Sequence, residues 1–175
     1  MEVQDKVIGH KIWTIKRWAS VEDFNAGRVY SEEEELQLMG ISQDSKFEGN
    51  LLLNEGINEL WTLVCSGGGT KFDSANARLA VGDSSAAESA AHTGLQASTN
   101  KLYKAMDVGF PTFGTLQKAV WRSTYATSEA NFAWQEFTVA NGGSDAAINL
   151  NRKVSNQGTK ISGQVWQLTL EITLS

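Results

Sequence analysis

The sequence predicts a mainly β (α+β) fold: an antiparallel β-sandwich or barrel-like domain with one packed helix and an extended N-terminal arm. Three observations predict it. A helical apolar period is carried by one segment, Asn50 to Cys65. After it come short alternating runs separated by Gly, Ser, Asn and Thr. The last run sets Trp166, Leu168, Leu170, Ile172 and Leu174 at period two against Gln167, Thr169, Glu171 and Thr173, as in a strand buried on one side. One helix followed by strands, with no βα alternation, points away from a doubly wound fold.

The elements follow in order. Lys6 to Trp18 is rich in β-branched and aromatic residues, which favour a strand. Two roles stand open for it: an extra strand of the main fold, or an arm reaching a neighbouring subunit, since Trp and Arg anchor interfaces. Charge then changes sharply. Residues 1–18 carry +2, residues 19–59 carry −8, and the rest carries +1, for a chain total of −5. The acidic stretch centres on Glu32-Glu33-Glu34-Glu35. It reads as a solvated linker, as the first turn of a short helix, where carboxylates suit the dipole, or as a contact for a basic patch. These shifts divide the chain into an arm and acidic connector at 1–46 and a β-rich domain at 47–175, with its helix near 50–65.

In that helix Leu53, Ile57, Leu60, Trp61 and Val64 form the expected buried face. Asn50 is the expected N-cap, and Ser66-Gly67-Gly68-Gly69 the stop. Gly56 costs about 1 kcal/mol in helix propensity and is read as a mark of close packing on a sheet. Cys65 is expected as a small buried hydrophobe. Strands are expected at 77–81, 101–106, 118–125, 132–140, 148–154 and 166–174. A small-residue loop fills 84–100, and turns fall at 107–111 and 141–144.

Composition excludes several classes of function. The chain has 175 residues, one Cys and two His, too few for an internal disulfide, a thiolate cage or a zinc site. No apolar run reaches the roughly 18 residues of a membrane span, and Met-Glu-Val-Gln-Asp opens no secretory leader. A net acidic chain is a poor general nucleic-acid binder. No metal or cofactor is expected.

Three motifs suggest chemistry and fail on inspection. Gly82-Asp83-Ser84-Ser85 looks like an esterase nucleophile block, but its one downstream His, His92, sits in a small-residue loop with no Asp placed to orient it. Ser66-Gly67-Gly68-Gly69-Thr70-Lys71 looks like a phosphate loop, but it follows a helix where a phosphate loop precedes one. Glu129 and Glu136 form a carboxylate pair of unknown separation. If Glu136 lies on a buried face it needs a partner such as Arg122 or Arg152, which makes a structural ion pair the better reading.

Asn50-Leu-Leu-Leu-Asn-Glu-Gly56, Ala77-Arg-Leu-Ala-Val-Gly-Asp83 and Ala130-Asn-Phe-Ala-Trp-Gln-Glu136 lie in one stretch with Asn151-Arg152-Lys153, Thr159-Lys160 and the terminal strand. From Asn50 onward this stretch resembles tailed-bacteriophage virion structural proteins of the head decoration (cement) type. The resemblance implies a structural protein on the outer surface of the head, made in the host cytoplasm. It would bind the major capsid protein and neighbouring copies of itself, as a trimer or another cyclic oligomer matched to capsid symmetry. It implies no enzyme, nucleic-acid or membrane role, and carries over no catalytic residue. Residues 1–46 lie outside it, so the arm residues Lys11, Ile12, Trp13, Lys16, Arg17 and Trp18 are the expected partner-binding set. A tail or tail-fibre module, using the loops at 66–76 and 84–100, is the alternative position. A sugar-active or esterase enzyme ranks last, for want of a paired acid or base.

Overall fold

Alternation along the terminal segment turns Trp166, Leu168, Leu170 and Ile172 to one side, and that buried row organises the molecule. In the computed structural model, which describes residues 9–174, the described residues form ten strands and three helices. In chain order they are β1 (Gly9–Trp18), α1 (Val21–Ala26), α2 (Glu32–Met39), β2 (Asp44–Glu48), β3 (Leu51–Leu52) and α3 (Asn54–Ser66). Then come β4 (Arg78–Gly82), β5 (Lys101–Ala105), β6 (Thr112–Thr115), β7 (Lys118–Tyr125), β8 (Glu136–Ala140), β9 (Asn151–Val154) and β10 (Val165–Leu174).

The strands make two five-stranded antiparallel sheets, ordered β2-β1-β10-β7-β6 and β3-β9-β8-β4-β5. Register places the large side chains in rows. Trp13 faces Leu170 and Ile15 faces Leu168 across β1 and β10, while Leu170 faces Trp121 and Trp166 faces Tyr125 across β10 and β7. In the second sheet Leu79 faces Val139 and Val81 faces Phe137. These rows meet in one core. Trp134 lies in it edge-on to Tyr125 at 4.7 Å and to Trp166 at 4.8 Å, pairs worth about 0.5–1.5 kcal/mol each beyond their buried area. The expected mainly β sandwich is the observed one.

Residues 9–18 are the main correction. β1 lies between β2 and β10 and is paired with β10 from Gly9↔Leu174 to Trp18↔Val165. It is a strand of the core and not an arm. The expected boundary at 46/47 falls inside β2, which pairs with β1 from Ile12↔Glu48 to Lys16↔Asp44. No separate connector remains, because the first 46 residues supply β1 and the first part of β2 in the first sheet. Lys6, Val7 and Ile8 lie outside the described residues.

Three helices stand where one was expected. Ser31 caps α2 and Glu34 returns the bond to the Ser31 backbone, so the acidic run is a helix start with Glu32–Glu35 in its first turn. α3 begins later than expected. Leu53 is its N-cap residue, with no side-chain cap bond, and Gly67 ends it at φ 66°. The expected strand at 132–140 shortens to β8, since Ala130 takes φ 50° and only Ala133 bridges, to Thr159.

Because β1 joins β2 to β10, removing residues 1–18 should destroy the fold. A circular-dichroism melt of the truncated chain should show no cooperative transition; a melt like that of the full chain would contradict this topology.

Candidate partner interface

The six expected partner-binding residues do not form a surface. Trp13 is buried, parallel to Phe47 at 6.1 Å and tilted against Phe137 at 5.7 Å. Arg17 is buried with its guanidinium 4.6 Å from the centre of the Trp166 ring. Its Nη1 donates to the Ser42 carbonyl at 3.0 Å and its Nη2 to the Gln157 carbonyl at 3.1 Å. Burial lowers its pKa to about 10. Trp18 donates from its indole to the Arg28 carbonyl and meets Phe24 edge-on at 5.0 Å. Lys11 and Ile12 are half-buried, and Lys16 alone of the six is exposed, 3.9 Å from Asp44. A central strand spends its inward row on the core, so Trp13 and Arg17 have no free face.

The side chains that suggested catalysis are spent on structure. Glu136 and Arg152 are fully buried and paired at 2.8 Å. The same carboxylate accepts from the backbone N–H of Gln96 at 2.9 Å and of Ala97 at 2.7 Å. Arg152 Nη1 donates to the Ala86 carbonyl at 3.0 Å, and Glu88 accepts from Val154 N–H at 2.6 Å. The 84–100 loop is thus fastened over a buried ion pair. Of the two partners foreseen for Glu136, Arg152 is the one used; Arg122 pairs with Asp107 at 3.0 Å. Glu129 pairs with Lys104 at 2.6 Å. Ser84 Oγ accepts from Ala86 N–H at 3.2 Å, while His92 Nδ1 lies 3.4 Å from Arg152 Nη1. Arg is only a donor, so the His92 nitrogen facing it serves as an acceptor and is turned to Arg152. Among the described residues no group of three or more His, Cys, Asp or Glu is placed to hold a metal ion.

What remains open is an apolar face, and α3 creates it. The helix docks by a mixed side, where Leu63 packs against the core beside Gly56 and two carboxylates. A Cβ on Gly56 would stand 2.5 Å from the Leu150 Cα, so backbone meets backbone there, as Gly56 suggested. Beside it Glu55 accepts from Asn149 N–H at 2.8 Å. One turn later Glu59 is buried, accepting from Thr70 N–H at 2.6 Å and from the Asn141 amide at 3.3 Å. With Glu55, Gly56 and Glu59 turned inward, the C-terminal part of the expected buried stripe faces out. Leu53 is buried and Ile57 half-buried, but Leu60, Trp61 and Val64 are exposed, and so is Cys65.

Beside this stripe runs an open groove of about 450 Å³ lined by Leu60, Leu116, Ala119, Trp121, Ile172 and Leu174, among others. Its floor is fixed, because the Trp121 indole donates to the Phe72 carbonyl at 3.0 Å. Phe113 lies opposite Ala119 in register, so it shares the groove's side of the sheet. Trp61, Val64, Phe113 and Leu116 each expose between 62% and 74% of their surface. The sequence period located the stripe on α3; the signal for its direction was the i, i+4 pair Glu55 and Glu59 around Gly56.

Two predictions follow from these buried charges. Glu136→Gln leaves Arg152 without its counter-charge and should cost about 3–5 kcal/mol in urea unfolding, whereas Ser84→Ala should stay within about 0.5 kcal/mol. Lys160 is buried with its ammonium donating to the Ala126 carbonyl and Asn131 Oδ1, and burial lowers its pKa to about 8. Below that pH both states hold the proton. Between pH about 8 and about 10.5 the unfolded chain holds more, so this group's contribution makes stability rise with pH. The rise should be smaller in Lys160→Met, measured as urea midpoints from pH 7 to 10.

Compared with known proteins, the chain matches no family model, no curated protein and no solved structure.

Proposed function

We propose that this chain is a structural protein of a tailed-phage virion, one that decorates and stabilises the head by binding capsid subunits and neighbouring copies of itself. The observation that carries the assembly part of this reading is the apolar face of α3, β6 and the end of β10. Exposed apolar surface of this extent marks a place where another molecule sits. The resemblance from Asn50 onward supports the virion part. The reading includes no catalysis. Ser84, His92, Glu129 and Glu136, the groups considered for acid, base or nucleophile work, are all engaged with structural partners.

The working surface is not the one first expected. Trp13, Arg17 and Trp18 hold the sandwich together, and Trp61, Val64, Phe113 and Leu116 take their place as the contact residues. A tail or tail-fibre module is the second reading. It is favoured by the fastening of the 84–100 loop on Glu136 and Arg152, since a recognition loop binds better when it is preorganised.

Co-sedimentation with empty tailed-phage heads, followed by imaging of particles carrying labelled protein, tests the position. The decoration reading predicts pelleting with heads and label spread over the whole head. Label confined to the tail would select the second reading, and no binding to any particle would remove both.

A further inference from the structure

We infer that the apolar face built by α3 and the β6–β7 hairpin is a self-association surface, and that its occupant is a second copy of this chain. This rests on the assembly reading above in taking the face to be an interface, and it names the partner.

Extent is the first argument. Trp61, Val64, Phe113 and Leu116, with parts of Leu60 and Leu174, together expose roughly 700 Å², which is of the order of the ~800 Å² that each partner contributes to a stable interface. Shape is the second. The ridge of Trp61 and Val64 stands beside an open groove, so one copy offers both the projection and the recess that an interface between like chains requires.

Charge selects a copy over another partner. The chain carries −5, and α2 alone places Glu32, Glu33, Glu34 and Glu35 in one turn, so two copies repel across most approaches. Among the described residues of the groove lining Lys118 is the one charged residue, and it is paired with Glu171 at 2.9 Å. The described lining of the groove therefore presents no carboxylate to a like-charged molecule. A basic partner would be drawn to α2 instead.

Backbone strain supplies a fourth, independent observation. Leu116 and Gln117 join β6 to β7 as a two-residue turn with φ of 54° and 52°. Such turns favour Asn-Gly, and a bulky Leu at positive φ costs about 1–2 kcal/mol. This turn places the exposed Leu116 at the groove's rim, where a residue such as Asn or Gly would be less strained.

Sedimentation equilibrium of the full chain, with Trp61→Glu and Leu116→Lys as separate variants, tests this. Both substitutions are at exposed positions, and melts monitored by circular dichroism check that the variants fold. The wild type should be an oligomer at tens of micromolar, and each charged variant should dissociate at least tenfold more readily towards the 19.1 kDa monomer. A wild type that stays monomeric there, or an oligomer that both folded variants leave intact, would overturn the inference. An oligomer broken by both variants that ignores phage heads would uphold the inference while refuting the head-decoration reading.

Discussion

The direction in which α3 faces is the constraint on which the rest depends. Gly56 lets the helix backbone lie on the Leu150 backbone, and no larger residue fits there. Glu55 and Glu59 then accept backbone N–H groups of Asn149 and Thr70, so the helix and the glycine-rich segment after it are set together. Carboxylates share this helix–sheet contact with Leu63. The apolar stripe is left over, and it is held in a fixed orientation beside a rigid groove. As the proposed interface, such a face would need little ordering when a partner arrives, which lowers the entropic cost of association.

A similar use of buried charge recurs in the sandwich. Glu136 with Arg152 fastens the 84–100 loop, the Arg17 guanidinium ties the Ser42 and Gln157 carbonyls to β1, and Lys160 ties Ala126 to Asn131. Buried ion pairs add little net stability over apolar replacements, because desolvation offsets the attraction. Their contribution here is to satisfy loop carbonyls and amides that a mainly small-residue sequence could not otherwise bury. Irregular segments are thereby given one conformation without large apolar side chains of their own.

Legibility in the sequence followed the chemistry of the faces. β7 and β10 were readable because their inward rows are apolar or small and their outward rows largely polar, as in Trp121, Ser123 and Tyr125 against Arg122 and Thr124. β1 was ambiguous because its inward row includes Lys11 and Arg17, and Trp18 is buried out of alternation under Phe24. Periodicity found the stripe on α3 and misjudged its direction, since a period reports that residues share a face and not what covers that face. Glu136 was legible as a buried carboxylate in need of a cation. The choice of Arg152 depends on how β8 and β9 are aligned, which no local pattern specifies.

On the proposed reading the molecule works through the outward side of α3 and the β6–β7 hairpin, while its strands and fastened loops hold that surface still. Hydrogen–deuterium exchange of the full chain, compared between dilute and concentrated solution, addresses this most directly. Added protection should fall within Asn54–Ser66 and residues 112–119 and leave the 84–100 loop unchanged. Protection appearing in that loop instead, or exchange identical in both states throughout α3 and β6, would contradict it.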